Sequence, residues 1–145
     1  MIDVEELKEK YLNYEFDRTE FEIKPEDAIK FARLCGETGN RFLDANDPNF
    51  QAPNNYVTCL KGRGIPEGFP KIGVGMDAGQ AVEVLTPIKP GTPLVGKTHL
   101  HEIYTKTGRS GRMIFLVTRI EFFDDKGTHL ANSDSRIVFR ERGDS

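Results

Sequence analysis

The sequence predicts a single α+β domain spanning residues 1–145, with helices placed mainly before an antiparallel sheet. Three observations predict this class. Helical periodicity is confined to the first part of the chain, whereas the later part alternates apolar and polar residues between short turn signals. A chain of 145 residues with 37% hydrophobic residues can bury one core, and it shows no internal repeat or linker.

The first part of the chain is predicted to hold one strand and two main helices. Residues 1–13 favour a short helix or a loose arm, and "YEFDRTEFEI" alternates like a strand that ends near Ile23. Pro25 suits the first position of a helix, and Gly36 suits its end. A second helix is predicted to begin at Pro53 in "APNNYVTCLKG".

A glycine- and proline-rich segment separates these helices from the sheet. Residues 62–75, "GRGIPEGFPKIGVG", predict irregular backbone, and a loop of that length often covers a ligand. Four strands joined by short turns then predict an antiparallel meander. They cover residues 80–88, 93–106, 112–123 and 128–142. The third is apolar on both faces, which predicts a central strand covered on each side, by the helix and by a loop or a partner subunit.

Composition excludes several classes of function. A net charge of −3 provides no general field for nucleic acid. The sequence has no apolar run near the ~20 residues of a membrane-spanning helix, and "MIDVEELKEKYLNYEFD" lacks the pattern of a signal peptide. These features predict a cytoplasmic protein that does not bind membranes. Cys35 and Cys59 predict buried free thiols rather than a disulfide framework.

The histidines give no metal prediction. His99 and His101 lie two apart on a predicted strand, so their side chains point to the same face, where polar sheet surface or a subunit contact is the expected role. A metal centre would need further ligands, and His129 is the only other histidine. A catalytic role for the pair is a second, weaker interpretation.

Four segments carry a family resemblance that extends over nearly the whole chain. They are "FEIKPEDAIKFARLCGE", "FQAPNNY", "GMDAGQAVEVLTPIKPGTPL" and "EIYTKTGRSGRMIFLVTRIEFFDDKGTHLANSDSRIVFR". In this order they resemble the N-terminal type of the MaoC-like hydratase/dehydratase family. The resemblance implies a hot-dog fold, in which an antiparallel sheet wraps around a central helix. It also implies an enoyl-thioester hydratase or 3-hydroxyacyl dehydratase reaction, with coenzyme A or a carrier protein bearing the substrate and no separate cofactor.

Competent members of that family carry a loop reading Gly-Asp-x-Asn-Pro-x-His-x-Asp, whose aspartate and histidine act as an acid/base pair on water. On this chain Gly36 takes the glycine position, Glu37 the aspartate, Phe42 the histidine and Asp44 the last acid, while Asn40 falls one place from the asparagine. Phenylalanine cannot transfer a proton. The loop is therefore predicted to be retained without its pair, and Glu37 is the catalytic candidate within it.

The resemblance implies a partner, because N-terminal-type halves often assemble with a competent hot-dog subunit that supplies the pair. The chain is therefore expected to form a homodimer or such a heterodimer. Two alternatives stay open: a self-sufficient hydratase or thioesterase that uses Glu37, and a non-catalytic scaffold subunit of an acyl-thioester enzyme complex.

Further candidate substrate-binding residues form three groups. Amides at the start of the second helix would lie near a thioester carbonyl, polar residues of "GMDAGQ" would line the substrate cleft, and cations of "TKTGRSGR" would hold phosphates. The competing roles are helix capping, turn formation and a solvated hairpin tip. The candidates are Asn54, Asn55, Asp77, Gly79, Gln80, Lys106, Arg109 and Arg112.

Overall fold

The computed structural model describes residues 1–141 and contains one five-stranded antiparallel sheet. The predicted α+β class is confirmed. The helices are α1 (Val4–Tyr11), α2 (Pro25–Leu34), α3 (Asn40–Leu43) and a 3-10 helix (Asn54–Cys59). The strands are β1 (Glu15–Glu22), β2 (Gly75–Val84), β3 (Pro93–Gly108), β4 (Gly111–Asp124) and β5 (His129–Arg140). Within residues 1–141, no helix is both long and apolar enough to cross a membrane.

The strand order is β1-β3-β4-β5-β2, so the predicted four-strand meander is wrong in one respect. Strands β3, β4 and β5 do form a meander, but β2 lies at the far edge beside β5. The "KPGT" turn cannot close a β2–β3 hairpin because the connecting segment is held elsewhere. Gly91 donates its N–H to the Ile23 carbonyl at 2.7 Å, and Ala52 donates to the Ile88 carbonyl at 2.9 Å. The connection therefore crosses the sheet.

Helix α2 forms where the sequence predicts it, but the second predicted helix is a six-residue 3-10 helix. Its sequence, "NNYVTC", combines asparagines with β-branched residues, which have low helix propensity. The Thr58 hydroxyl also donates to the Asn55 carbonyl at 2.8 Å, and such side-chain bonding competes with a regular helix. Val57 is fully buried, and the segment packs against β2 and β5. The helical element beneath the sheet is therefore short.

Strand bounds differ from prediction mainly at β2, which begins at Gly75 rather than residue 80. The sequence did not indicate this start, because Gly75 and Gly79 interrupt the residue pattern that is typical of a strand. Gly79 has φ +128°, and the register shifts between Asp77 and Gly79, as in a β-bulge. Residues 62–74 are irregular, as predicted. Strand β5 ends at Arg140, and Arg142, the last residue of the predicted strand, lies outside the described residues.

Two apolar clusters lie on the buried face of the sheet. The first contains Ala28 from α2 and Val57 from the 3-10 helix, packed with Phe122 of β4. The second contains Leu7 of α1 and lies at the other end of the strands. Phe69 of the long loop packs against it. The long loop thus serves as part of the core cover, a place that a helix would otherwise fill.

Strand β4 is central, as predicted, but its two faces are sheltered differently. Ile114, Leu116 and Phe122 are almost fully buried on one face. On the other face, half-buried aromatic rings contact cross-strand neighbours. Phe115 stacks on Tyr104 with centroids 4.8 Å apart. Apolar side chains on both faces therefore indicate a central strand even where one face is covered by neighbouring aromatic side chains rather than by a helix.

The cysteine prediction is half right. Cys35 and Cys59 are free thiols, as expected, but both are exposed rather than buried. Each lies at the end of a helical segment, where its side chain faces away from the core.

Candidate functional site

The candidate site begins where α2 ends. Gly36 adopts φ +81°, a left-handed conformation that favours glycine. Gly36 then donates its N–H to the Arg33 carbonyl at 3.1 Å, and Glu37 donates its N–H to the Ala32 carbonyl at 3.0 Å. These two bonds close the helix and fix the direction in which the loop leaves it. The glycine of the predicted reaction loop therefore has a structural reason for its position.

A cavity of about 440 Å³ opens beside this loop. It brings together three predicted site residues from two segments: Glu37 from the loop, and Asn54 and Asn55 from the 3-10 helix. The capping role that competed for the asparagines is not seen, because the residue before the helix is Pro53 and no side-chain cap is formed. The full lining is Cys35, Glu37, Arg41, Phe42, Gln51, Pro53, Asn54 and Asn55.

The histidine position of the loop faces inward here. Phe42 is 9% exposed and lies on α3, with the Arg41 guanidinium carbon 4.7 Å from its ring centroid. The ring thus supplies an apolar wall and a cation–π contact, and it has no proton to transfer. The cavity combines a carboxyl group, a guanidinium and carboxamides. This set can bind a polar ligand by hydrogen bonds, and Glu37 is its one carboxylic acid.

Arg41 and Gln51 line the cavity but were missed by the sequence reasoning. A signal was available for each. Arg41 directly precedes the position aligned with the family histidine, and Gln51 stands two residues before Pro53 at the entry to the second helix. Gln51 also donates its N–H to the Arg41 carbonyl at 2.8 Å, which ties the two lining segments together.

The "GMDAGQ" residues lie at a different place from this cavity. Asp77 Oδ1 accepts a hydrogen bond from the Gly79 N–H at 2.9 Å, so the pair forms the bulge of β2. Asp77 and Gln80 line a separate hollow between β2 and β5, beside Met76 and Arg136. The local geometry matches the turn-forming role that competed with ligand contact.

The cations of the β3–β4 hairpin also lie apart from the Glu37 cavity. Arg109 is exposed in the turn, and Lys106 Nζ lies 5.6 Å from the ring centroid of Phe115. Arg112 is already engaged: its Nε donates to Glu141 at 2.6 Å, and it also donates to a main-chain carbonyl near the N-terminus. This hydrogen bond from Arg112 is the main reason that the pKa of Glu141 is held below its usual range. Arg112 therefore holds residue 2 beside residue 141.

On the half-exposed face of the sheet, two of the three histidines lie close to the carboxyl group of Glu121. His99 Nε2 lies 3.1 Å from His101 Nδ1, which confirms that the two share a face. His99 Nδ1 lies 3.5 Å from Glu121, and His129 Nε2 lies 4.0 Å from the same carboxyl group. Burial lowers the pKa of His99, and Glu121 opposes part of that change. Strand pairing, rather than sequence proximity, brings His129 to this group.

Comparison with known proteins identifies the family. A family model described as "FAS1-like, dehydratase domain region" matches residues 11–133. No protein with a curated function matches the chain.

Solved structures share the fold at low identity. A MaoC-like dehydratase from Phytophthora capsici is 24% identical with a TM-score of 0.69, and the match covers 94% of this chain and 50% of that protein. This chain thus spans about half of its length. The HadBC (3R-hydroxyacyl-ACP dehydratase) complex from Mycobacterium tuberculosis is 16% identical, with coverage of 82% and 90% and a TM-score of 0.59. The R-hydratase PhaJ1 from Pseudomonas aeruginosa is 20% identical, with coverage of 89% and 83% and a TM-score of 0.57. At such identities these likenesses establish the hot-dog fold.

Proposed function

Because the chain belongs to the FAS1-like dehydratase-region family of MaoC-like hot-dog proteins, we propose that it is the non-catalytic half of an enoyl-thioester hydratase or 3-hydroxyacyl dehydratase. In this role it binds part of an acyl-coenzyme A or acyl-carrier substrate. A second hot-dog subunit supplies the acid/base pair that hydration requires. The carrier thioester is itself the substrate, and no further cofactor takes part.

The observation that carries this proposal is the Glu37 cavity. It has polar groups from two segments, but Phe42 fills the place that a histidine takes in a competent loop. Asn54 and Asn55 are exposed carboxamides at its rim, and such groups can donate hydrogen bonds to a thioester carbonyl or a pantetheine amide. Binding without proton transfer is therefore the chemistry that these side chains support best.

The edge strand β2 supports the presence of a partner. It is ten residues long and pairs with β5 on one side. Exposed apolar residues occur on it and at its ends: Val74 is 74% exposed, Met76 58% and Leu85 50%. A long edge with exposed apolar side chains favours pairing with another chain. The HadBC structure is a complex, and we extend that arrangement to this chain.

The test measures hydration of a short and a medium trans-2-enoyl-coenzyme A, followed by the loss of enoyl absorbance. The chain is assayed alone and after co-expression with a hot-dog subunit that carries the acid/base pair. We expect turnover only in the complex. In that complex Asn54→Ala should raise KM roughly fivefold, because a net side-chain hydrogen bond contributes about 1 kcal/mol. Glu37→Gln should leave kcat unchanged.

Three outcomes would contradict the proposal, each in a different way. If the chain alone turns over the enoyl thioester, and Glu37→Gln abolishes that activity while the matched surface variant Glu9→Gln retains it, the chain is a self-sufficient enzyme. Hydrolysis of the thioester with the same dependence on Glu37 would identify a thioesterase. Stable assembly with no effect on turnover or KM would identify a scaffold subunit.

A further inference from the structure

The histidine group on the half-exposed face is unrelated to the Glu37 cavity. His99 of β3 and His101, at the β3 bulge, place two imidazole nitrogens, Nε2 and Nδ1, 3.1 Å apart. Two nitrogens that bind one cation at 2.0–2.1 Å are about 2.9 Å apart at a right angle and about 3.4 Å apart at the tetrahedral angle. The observed separation lies between these values. A shared cation and a single N–H···N bond both fit this spacing.

Glu121 distinguishes the two nitrogens of His99. Its carboxyl group lies 3.5 Å from Nδ1, on the ring edge away from His101. A carboxylate in this position favours the proton on Nδ1 and leaves the lone pair on Nε2, which faces His101. An outer carboxylate beside the far nitrogen of a metal-binding histidine orients the ring and strengthens it as a ligand. At 3.5 Å the Glu121 carboxyl acts on His99 through its charge rather than through a short hydrogen bond. His99 is therefore set up as a ligand on the side where the second imidazole lies.

The remaining histidine is engaged elsewhere. His129 Nε2 lies 2.6 Å from Asn132 Oδ1, and its ring stacks on Phe123 with centroids 4.8 Å apart. No group of three or more His, Cys, Asp or Glu side chains within residues 1–141 has the arrangement of a metal centre. A cation at the pair would thus take two ligands from the described residues and fill its other positions with water. That coordination suits a cation that prefers imidazole, not one that prefers oxygen.

We propose that His99 and His101 form a surface binding site for an imidazole-preferring transition-metal cation, with Glu121 orienting His99. Among the divalent candidates, Cu²⁺ binds most tightly to nitrogen ligands and accepts near-right angles between them, while Ni²⁺ and Zn²⁺ bind more weakly. Mg²⁺ and Ca²⁺ are excluded because they require oxygen ligands. The site is independent of the proposed hydratase function.

The test is titration of the chelator-treated protein with Cu²⁺ by calorimetry, in a Cys35→Ser/Cys59→Ser background. This background is needed because both thiols are exposed and would compete for the metal. We expect one site per chain. His101→Gln should weaken binding at least tenfold, and Glu121→Gln about tenfold, as found for outer-shell ligands. His129→Gln is the matched control and should bind as the background protein does.

Unfolding temperatures measured with chelator show whether each variant is folded. Equal Cu²⁺ binding by the background protein and by His101→Gln would overturn the proposal. So would loss of binding in His129→Gln, or displacement of Cu²⁺ by equimolar Mg²⁺.

Discussion

Gly62 offers a sharp test of how the long loop is held on the sheet. A Cβ atom at this position would lie 2.5 Å from Asp17 Oδ2 and 3.2 Å from Thr19 Oγ1, both on β1. The same Asp17 oxygen accepts a hydrogen bond from the Arg63 N–H at 3.1 Å and from the Thr19 hydroxyl at 2.8 Å. Gly62→Ala therefore has to push the loop away from β1 or displace the carboxylate that anchors it.

The cost can be estimated from these contacts. Overpacking of this kind costs about 1–3 kcal/mol, and the bond from Arg63 to the carboxylate would weaken as well. Alanine also lowers the conformational entropy of the unfolded chain, which offsets about 0.4–1 kcal/mol of the lost stability. We expect the free energy of unfolding to fall by about 2 kcal/mol. For a domain of this size that lowers the unfolding temperature by roughly 4–8 °C.

Gly64→Ala is the matched control, because it lies two residues away in the same loop and its Cβ would meet nothing within 4 Å. Neither glycine requires a left-handed backbone, so steric contact is the main difference between the two variants. Urea unfolding should show Gly62→Ala destabilised and Gly64→Ala unchanged or slightly stabilised. Equal midpoints for the two variants would refute the anchoring role of Asp17.

Three further predictions concern other parts of the fold. Arg112→Gln should reduce stability at neutral pH, and the deficit should shrink as the pH falls below 4.5. The lowered pKa of Glu141 contributes stability that is fully present above the pKa of the unfolded chain and is lost as the pH falls through the lower pKa of the folded chain. Urea midpoints near pH 7 and near pH 3.5 test this, and a constant deficit would contradict it. Gly96→Ala should lower the free energy of unfolding, measured by thermal unfolding, by about 1–3 kcal/mol, since the added Cβ would lie 2.8 Å from the ring of Phe21. An unchanged free energy of unfolding would mean that the Phe21 ring moves aside freely. If the chain assembles as proposed, Met76→Lys should abolish binding of the proposed hot-dog partner in sedimentation experiments with little change in stability, whereas an intact complex would place the interface elsewhere.

The N-terminal elements could be predicted because their signals are local. Pro25 and Gly36 mark the two ends of α2, and helical periodicity fills the interval. The place of β2 could not be predicted, because which strand it joins depends on contacts made by residues far along the chain. Ile23 and Ala52 hold the connection after β2, and nothing within "KPGT" encodes them.

The candidate site shows the same division. A resemblance in the loop located Glu37 and the Phe42 substitution, because a loop motif is read directly from sequence. The amides of Asn54 and Asn55 were predicted to lie near a thioester carbonyl, but neither their place beside Glu37 nor the contribution of Arg41 and Gln51 was predicted, since these depend on how two segments lie side by side. Likewise, His129 reaches Glu121 only through the register of β4 and β5.

The Arg112–Glu141 pair also brings two distant parts of the chain to one place. Arg112 donates both to Glu141 and to the Ile2 carbonyl, and the Ile2 N–H donates to Glu141, so residues 2 and 141 lie side by side. A fusion partner joined at residue 2 or at residue 141 would therefore start from the same corner of the sheet. The proximity of residues 2 and 141 also permits circular permutation. A permuted chain that links these residues through a short glycine bridge, with new ends opened in the exposed Asp125–Lys126 turn, should keep the native strand order.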